Sequence, residues 1–245
     1  MCAPFWRIAL LLALAVAAVP LPAQDLPALL EGLAKHQDAV RPVYDAGFTM
    51  TTRTEELDKK GRAESTTESV ERITTVNGKQ EREIVRAVRD GKDVTQEQRR
   101  RRAERKAAAA KAGEGSGSRR NLTMSVFNPF ARDEQAKYRF TLAGADPAVP
   151  GGVLIRFEPK GAPSDQTNTG EAVVDTALPA PVRIRYRPSV TKKPIQKIAF
   201  DLLFATPSPR GPVLSSFSIE GEGGVLFVKK RFRSKTTFSD YSGAR

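Results

Sequence analysis

Between residues 137 and 241 the chain alternates apolar and polar side chains with a period of two. Turn-forming stretches (GADPAVPGG, PKGAPSDQTNTG, ALPAP, RPSVTKKP, ATPSPRG and EGEGG) interrupt it at short intervals. That pattern suits antiparallel strands joined by short connections; parallel βαβ units would need an intervening helix after each strand. Strands are predicted near 137–143, 152–158, 170–175, 181–187, 195–204, 212–220, 224–232 and 234–241. Residues 43–90 read as a three-stranded meander: one strand before the DKKG turn at 58–61, a second over about 63–76 running into Asn77-Gly78, and a third over about 80–89 ending at DGKD. The class is mainly antiparallel β with a few helices (α+β), with about eleven strands in one sheet.

Helical periodicity with an apolar face occurs once, in DLPALLEGLAKHQDAVRP, where Leu26, Leu29, Leu30, Leu33 and Val40 share a stripe. Asp25 is placed to cap its start and Pro42 to end it. The segment at about 95–120, TQEQRRRRAERKAAAAKAGEGSGSRR, also favours helix but carries almost no large apolar side chain. It is expected to be an exposed basic excursion, with GEGSGS as a flexible joint. One short amphipathic helix cannot cover such a sheet. The remainder must curl on itself, be covered by a second segment such as NPFARDEQAKY, or meet a ligand.

Parity divides the strands into two chemistries. In PVRIRYRP, Val182, Ile184 and Tyr186 face one way and Arg183, Arg185 and Arg187 the other; in KIAFDLLF, Ile198, Phe200, Leu202 and Phe204 share a face, and Leu203 leaves the opposite one partly apolar. In VLFVKKRFRSKTTFSDY, Leu226, Val228, Phe232 and Phe238 oppose Lys229, Arg231, Arg233 and Lys235. Lys230 breaks the apolar side, through either a bulge or a place at a cavity rim. The basic residues Arg99, Arg100, Arg101 and Arg102, with Lys229, Arg231, Arg233 and Lys235, are either a solvated exterior or a surface for anionic lipid head groups or an acidic partner.

The first residues, MCAPFWRIALLLALAVAAVPLPAQD, have the layout of a secretory signal peptide over 1–23, with cleavage near Ala23. A retained anchor is the alternative. Cys2, the only cysteine among 245 residues, precedes that cut, and an exported chain without disulfides fits a Gram-negative periplasm. The formal charge of +12 therefore does not point to nucleic acid, and the basic strands offer few aromatic residues for base stacking. His36, the single histidine, is expected on the exposed side of the first helix. No catalytic residue, metal or cofactor is implied: cysteine–histidine nucleophile pairs and histidine-rich metal sites are excluded, and the scattered pairs Glu55–Glu56 and Glu220–Glu222 suggest glycosidase chemistry only in the abstract. Asn121-Leu122-Thr123 fits a glycosylation sequon by chance.

The order of these parts, with GEAVVDTALPAPVRIRYRP at 170–188, KIAFDLLF at 197–204 and GVLFVKKRFRSKTTFSDY at 224–241, resembles the LolA/LolB-like outer-membrane lipoprotein-sorting superfamily over about 24–241. The resemblance implies a single domain at 24–245: a strongly curved half-open β-barrel, with helical cover, whose concave side admits acyl chains. It implies a monomeric periplasmic carrier that binds a lipid or a lipidated protein and does no chemistry. Strand parity offers Phe48, Met50, Phe140, Phe157, Phe200, Leu202 and Phe204 as lining residues, although a fully packed core would use the same positions. An envelope interaction module that binds an anionic surface through its basic strands is the alternative function.

Overall fold

The computed structural model describes residues 25–76, 79–111, 127–225 and 228–244. The predicted signal segment, Asn77 and Gly78, residues 112–120 of the basic excursion and the Asn121 sequon lie outside them.

Helix α1 spans Leu26–Ala46, longer than predicted, with Pro42 inside it. Pro42 and Asp38, whose carbonyl loses its donor at i+4, are both exposed, so water can replace the missing bond. The helix ends instead at Gly47, whose φ of 121° suits glycine and whose hydrogen faces the Ile73 carbonyl, only 2.6 Å from where a Cβ would stand. Asp25 occupies the N-cap position but makes no side-chain cap bond.

Strands β1 (Gly47–Leu57), β2 (Ala63–Val76), β3 (Lys79–Arg89) and the two-residue β4 (Lys92–Asp93) form the first meander. Helix α2 (Thr95–Lys111) and the short α3 (Arg132–Gln135) follow. The second meander comprises β5 (Tyr138–Ala145), β6 (Gly152–Pro159), β7 (Asn168–Asp175), β8 (Ala180–Pro188), β9 (Ile195–Thr206), β10 (Val213–Val225) and β11 (Val228–Ser239), before a 3-10 turn at Ser242–Ala244. All eleven strands make one antiparallel sheet in the order β4-β3-β2-β1-β11-β10-β9-β8-β7-β6-β5, with β1 against β11 joining the two meanders. The end strands β4 and β5 do not pair with each other, so the sheet is open.

The EGEGG stretch, predicted as a turn, lies inside β10, and the predicted break between 232 and 234 is absent because Arg233 pairs with both Glu220 and Glu55. These glycines serve close approach. A Cβ on Gly221 would stand 2.4 Å from the Phe232 ring, and one on Gly223 would stand 2.9 Å from the Pro194 carbonyl.

One buried cluster contains α1 residues together with Ile73 of β2, Ile155 of β6 and Tyr138 of β5. Those strands are eight spacings apart, about 38 Å if the sheet were flat, whereas a helix is about 10–12 Å wide. The sheet therefore bends round α1 as a curved, open half-barrel. Segment 127–138 adds cover beside the helix: Phe130 is buried, Asn128 donates to Gln37 (2.8 Å), Gln135 donates to the Leu30 carbonyl (2.8 Å), and Arg132 holds Glu31 through two bonds of 2.9 and 3.0 Å.

Candidate ligand-binding face

Leu29, Leu33, Val40, Val43 and Tyr44 of α1 press on the inner face of the sheet, where they bury Phe48, Met50, Leu202 and Ile184. Polar bonds fix the helix at its edges. Leu214 lies opposite Phe204 with register shifts on both sides; its N–H donates to Tyr44 Oη (2.9 Å) and its carbonyl accepts from Tyr241 Oη (2.6 Å). Burial pushes the Tyr44 hydroxyl up to about 12, against the opposing pull of its backbone hydrogen bond. His36, expected to be exposed, is 8% exposed and bonds through Nε2 to the Pro212 carbonyl (3.0 Å). Gly211, at φ 108°, lets that loop close on the imidazole: its Cβ would lie 2.7 Å from the ring. Desolvation holds the His36 pKa below its ordinary value, against the pull of the Pro212 bond.

Beyond α1 the inner face stays apolar and becomes partly exposed. An aromatic row crosses it: Phe127 lies 5.9 Å from Phe157 and 4.9 Å from Tyr186, Tyr186 stacks on Phe200 at 4.7 Å, and Phe200 stacks on Phe217 at 5.9 Å. Gly170 makes the row possible, since its Cβ would come within 2.7 Å of the Phe157 ring and 2.1 Å of the Arg185 carbonyl. Phe127, Phe200 and Phe217 pack against the core without being buried by it, and Ile198, Ile219 and Phe232 continue the same face, each partly exposed. Along β1 and β11 polarity rises toward the rim. Phe48 and Met50 give way to the hydroxyl pairs Thr52–Thr236 (2.9 Å) and Thr54–Ser234 (2.8 Å), and then to the ion pair Glu56–Lys230 (3.3 Å). The β10–β11 register runs unshifted past Lys230, so this lysine needs no bulge; it sits on the inner parity and reaches across the rim to a carboxylate.

On the outer face several of the basic side chains are held in ion pairs. Arg233 and Arg53 both bond Glu55, and these hydrogen bonds, Arg233's foremost, hold its carboxyl below the usual range. Arg183 grips Asp201, Arg231 bonds Glu222 (3.1 Å) and Arg139 bonds Glu158 (2.9 Å). A groove of about 720 Å³ at the β8–β9 end of this face is bordered by Arg187, Lys197, Arg231, Arg233, Glu220 and Glu222, so its charges have both signs.

The expected sites therefore fall in different settings. Phe48, Met50, Phe157, Leu202 and Phe204 are 1%, 6%, 1%, 0% and 9% exposed, sealed beneath α1 and its neighbours, so a ligand reaches them only if that cover moves. Phe140 and Phe200 lie at the partly exposed margin. The arginine run is divided by its partners. Arg99 donates to the Ile84 carbonyl (2.8 Å), Arg102 reaches Glu71 (3.2 Å), and only Arg100 and Arg101 point along the exposed helix, each paired there with Glu104 or Glu97. Arg231 and Arg233 are paired, Lys235 is exposed, and the Lys229 side chain lies outside the described part. The sequence alone did not single out the partly exposed Phe127, Phe217, Ile219 and Phe232, or the buried Tyr186 that links Phe127 to Phe200, as members of this row. Parity could have found Tyr186, Ile219 and Phe232, but Phe127 precedes any periodic segment.

The chain matches no protein-family model and no curated protein. Among solved structures it is similar to a DUF1329 family protein from Desulfovibrio piger, at 11% identity over 87% of this chain and 91% of that one, with a TM-score of 0.39. It is also similar to MucB in complex with MucA(peri), at 7% identity over 86% and 94% of the two chains with a TM-score of 0.22, and to the Pseudomonas aeruginosa MucA/MucB complex, at 9% identity over 86% and 95% with a TM-score of 0.23. Among the described residues no helix is long and apolar enough to cross a membrane.

Proposed function

We propose that this protein is an exported binding or carrier protein of the bacterial periplasm that holds an acyl chain, from a lipid or a lipidated protein, against the inner face of its half-barrel and acts by binding alone. The observation that carries this reading is the apolar row of partly exposed Phe127, Phe200, Phe217, Ile219 and Phe232, joined by the buried Tyr186, on the same face as the packed core and beyond the reach of α1. Each methylene buried there contributes about 0.8 kcal/mol, so a medium-length chain offsets the cost of immobilisation, and release calls for a recipient that offers a comparable site. The chemistry-bearing residues support a non-catalytic role: His36 is committed to a structural bond, and the chain beyond the predicted cut has no cysteine. Ion pairing of Arg100, Arg101, Arg231 and Arg233 within the chain makes the anionic-surface reading the weaker one.

Native mass spectrometry of the protein purified from a bacterial periplasm tests the proposal. A lipid adduct is expected, and it should be lost when Phe200 and Phe217 are both replaced by Asp. Protein that carries no lipid and takes up none on incubation with mixed envelope lipids would overturn it.

A further inference from the structure

Arginine supplies a second kind of contact on the inner face. Glu71 of β2 pairs in register with Met50 on one side and Ile84 on the other, which places it on the core-facing parity, and it is 7% exposed. Two guanidinium groups converge on the same carboxylate oxygen: Arg82 Nε from β3, and Arg102 Nη2 from α2 at 3.2 Å. One negative charge thus serves two positive ones, leaving a surplus of +1 around a buried carboxylate. Arg102 Nη1 is buried and has no hydrogen-bond partner, the one such side-chain atom among the described residues. A charged donor left without an acceptor is costly, and such atoms mark where a partner belongs. Burial, with the neighbouring charge of Arg102, brings the Arg82 pKa down to about 10, and burial also lowers that of Arg102. One added anion would relieve both effects. The two side chains remain 35% and 37% exposed, so an anion can approach the cluster from outside, and a turn of the Arg102 guanidinium is needed to present the buried Nη1 to it.

We propose that Arg82 and Arg102 form an anion subsite that takes the carboxylate or phosphate head group of an amphiphile whose chain lies on the aromatic row. The paired guanidiniums offer the planar, multi-donor geometry that such oxyanions accept, with Arg102 Nη1 as an uncommitted donor. β2 and β10 are three strand spacings apart, about 14 Å, a span that an extended acyl chain bridges. This assignment deepens the acyl-binding proposal and rests on it for the chain. It also gives α2 a purpose that its composition hides: Thr95 and Arg99 dock the helix on β3 through backbone groups of Ala87 and Ile84, and Arg102 is thereby delivered to Glu71.

Isothermal titration of the mature chain with decyl phosphate, decyl glucoside and inorganic phosphate separates the two ideas. The wild type is expected to prefer decyl phosphate over decyl glucoside by on the order of tenfold, as a charge-assisted pair requires. Arg102→Met should abolish that preference and leave decyl glucoside binding intact; Arg82→Met is the second variant should the first not fold. Equal binding of the two amphiphiles by the wild type would overturn the subsite and leave the acyl-binding proposal standing. If neither amphiphile binds, the acyl proposal fails and inorganic phosphate decides: a phosphate-dependent rise in Tm that Arg102→Met loses supports the subsite, and no rise overturns it.

Discussion

Replacing Tyr44 by Phe removes one oxygen and leaves the ring, which packs edge-on against Tyr241 at 5.8 Å, in place. The oxygen is the acceptor for the Leu214 N–H, at a residue only 3% exposed, where register shifts flank the pairing with β9 and the pairing with β11 begins only at Ser216. Because the donor is stranded without water, the cost is that of an unsatisfied buried group, about 1–3 kcal/mol, rather than the smaller net worth of an average hydrogen bond. For a chain of this size that corresponds to a fall in Tm of about 2–12 °C. Urea unfolding followed by far-UV circular dichroism should show a lower midpoint with an unchanged slope. Tyr241→Phe should be milder, since a carbonyl keeps a second lone pair for other contacts, and the double variant should be non-additive because both hydroxyls hold the backbone of one residue, Leu214. A loss below about 0.5 kcal/mol for Tyr44→Phe would refute the reasoning, because it would mean that the Leu214 N–H finds another acceptor.

His36 makes stability depend on pH. Its folded pKa is lowered by burial, so the unfolded chain binds the extra proton; the stabilisation is complete above the unfolded value of about 6.5 and is lost as pH falls through it toward the folded value. Melting temperatures measured between pH 8 and pH 5 should decline on acidification, and His36→Gln should flatten that part of the profile. Gly170→Ala would bring a methyl carbon to 2.1 Å from the Arg185 carbonyl and should cost about 3 kcal/mol or more. Gly161→Ala, where nothing lies within 4 Å, should stay within about 0.5 kcal/mol in the same denaturant titration.

Strand parity carried most of the architecture. The alternation in PVRIRYRP and KIAFDLLF correctly separates Ile184, Tyr186 and Leu202 from Arg183 and Arg185, and it places Leu203, 39% exposed, on the outer side. It could not show which charges meet, because the pairing of Arg233 with Glu55 depends on register between strands far apart in sequence, and that of Arg183 with Asp201 on a diagonal contact across the β8–β9 hairpin. Glycine was the main source of error in locating turns: local composition makes EGEGG a turn, whereas Phe232 and the Pro194 carbonyl require the missing side chains within a strand. His36 was misplaced for a similar reason, since the loop that buries it lies 176 residues downstream. Arg82 could have been flagged, like Lys230, as a cation on the core-facing parity of its strand; its partner Arg102 could not, because it arrives from a helix without an apolar face.

Photoaffinity labelling with a diazirine-bearing fatty acid shows whether an acyl chain lies on the inner face. Adducts are expected on the inner-face peptides that contain Phe200, Phe217, Ile219 and Phe232, with competition by unlabelled fatty acid. Adducts confined to outer-face positions such as Leu203, or labelling that unlabelled fatty acid does not displace, would contradict that placement.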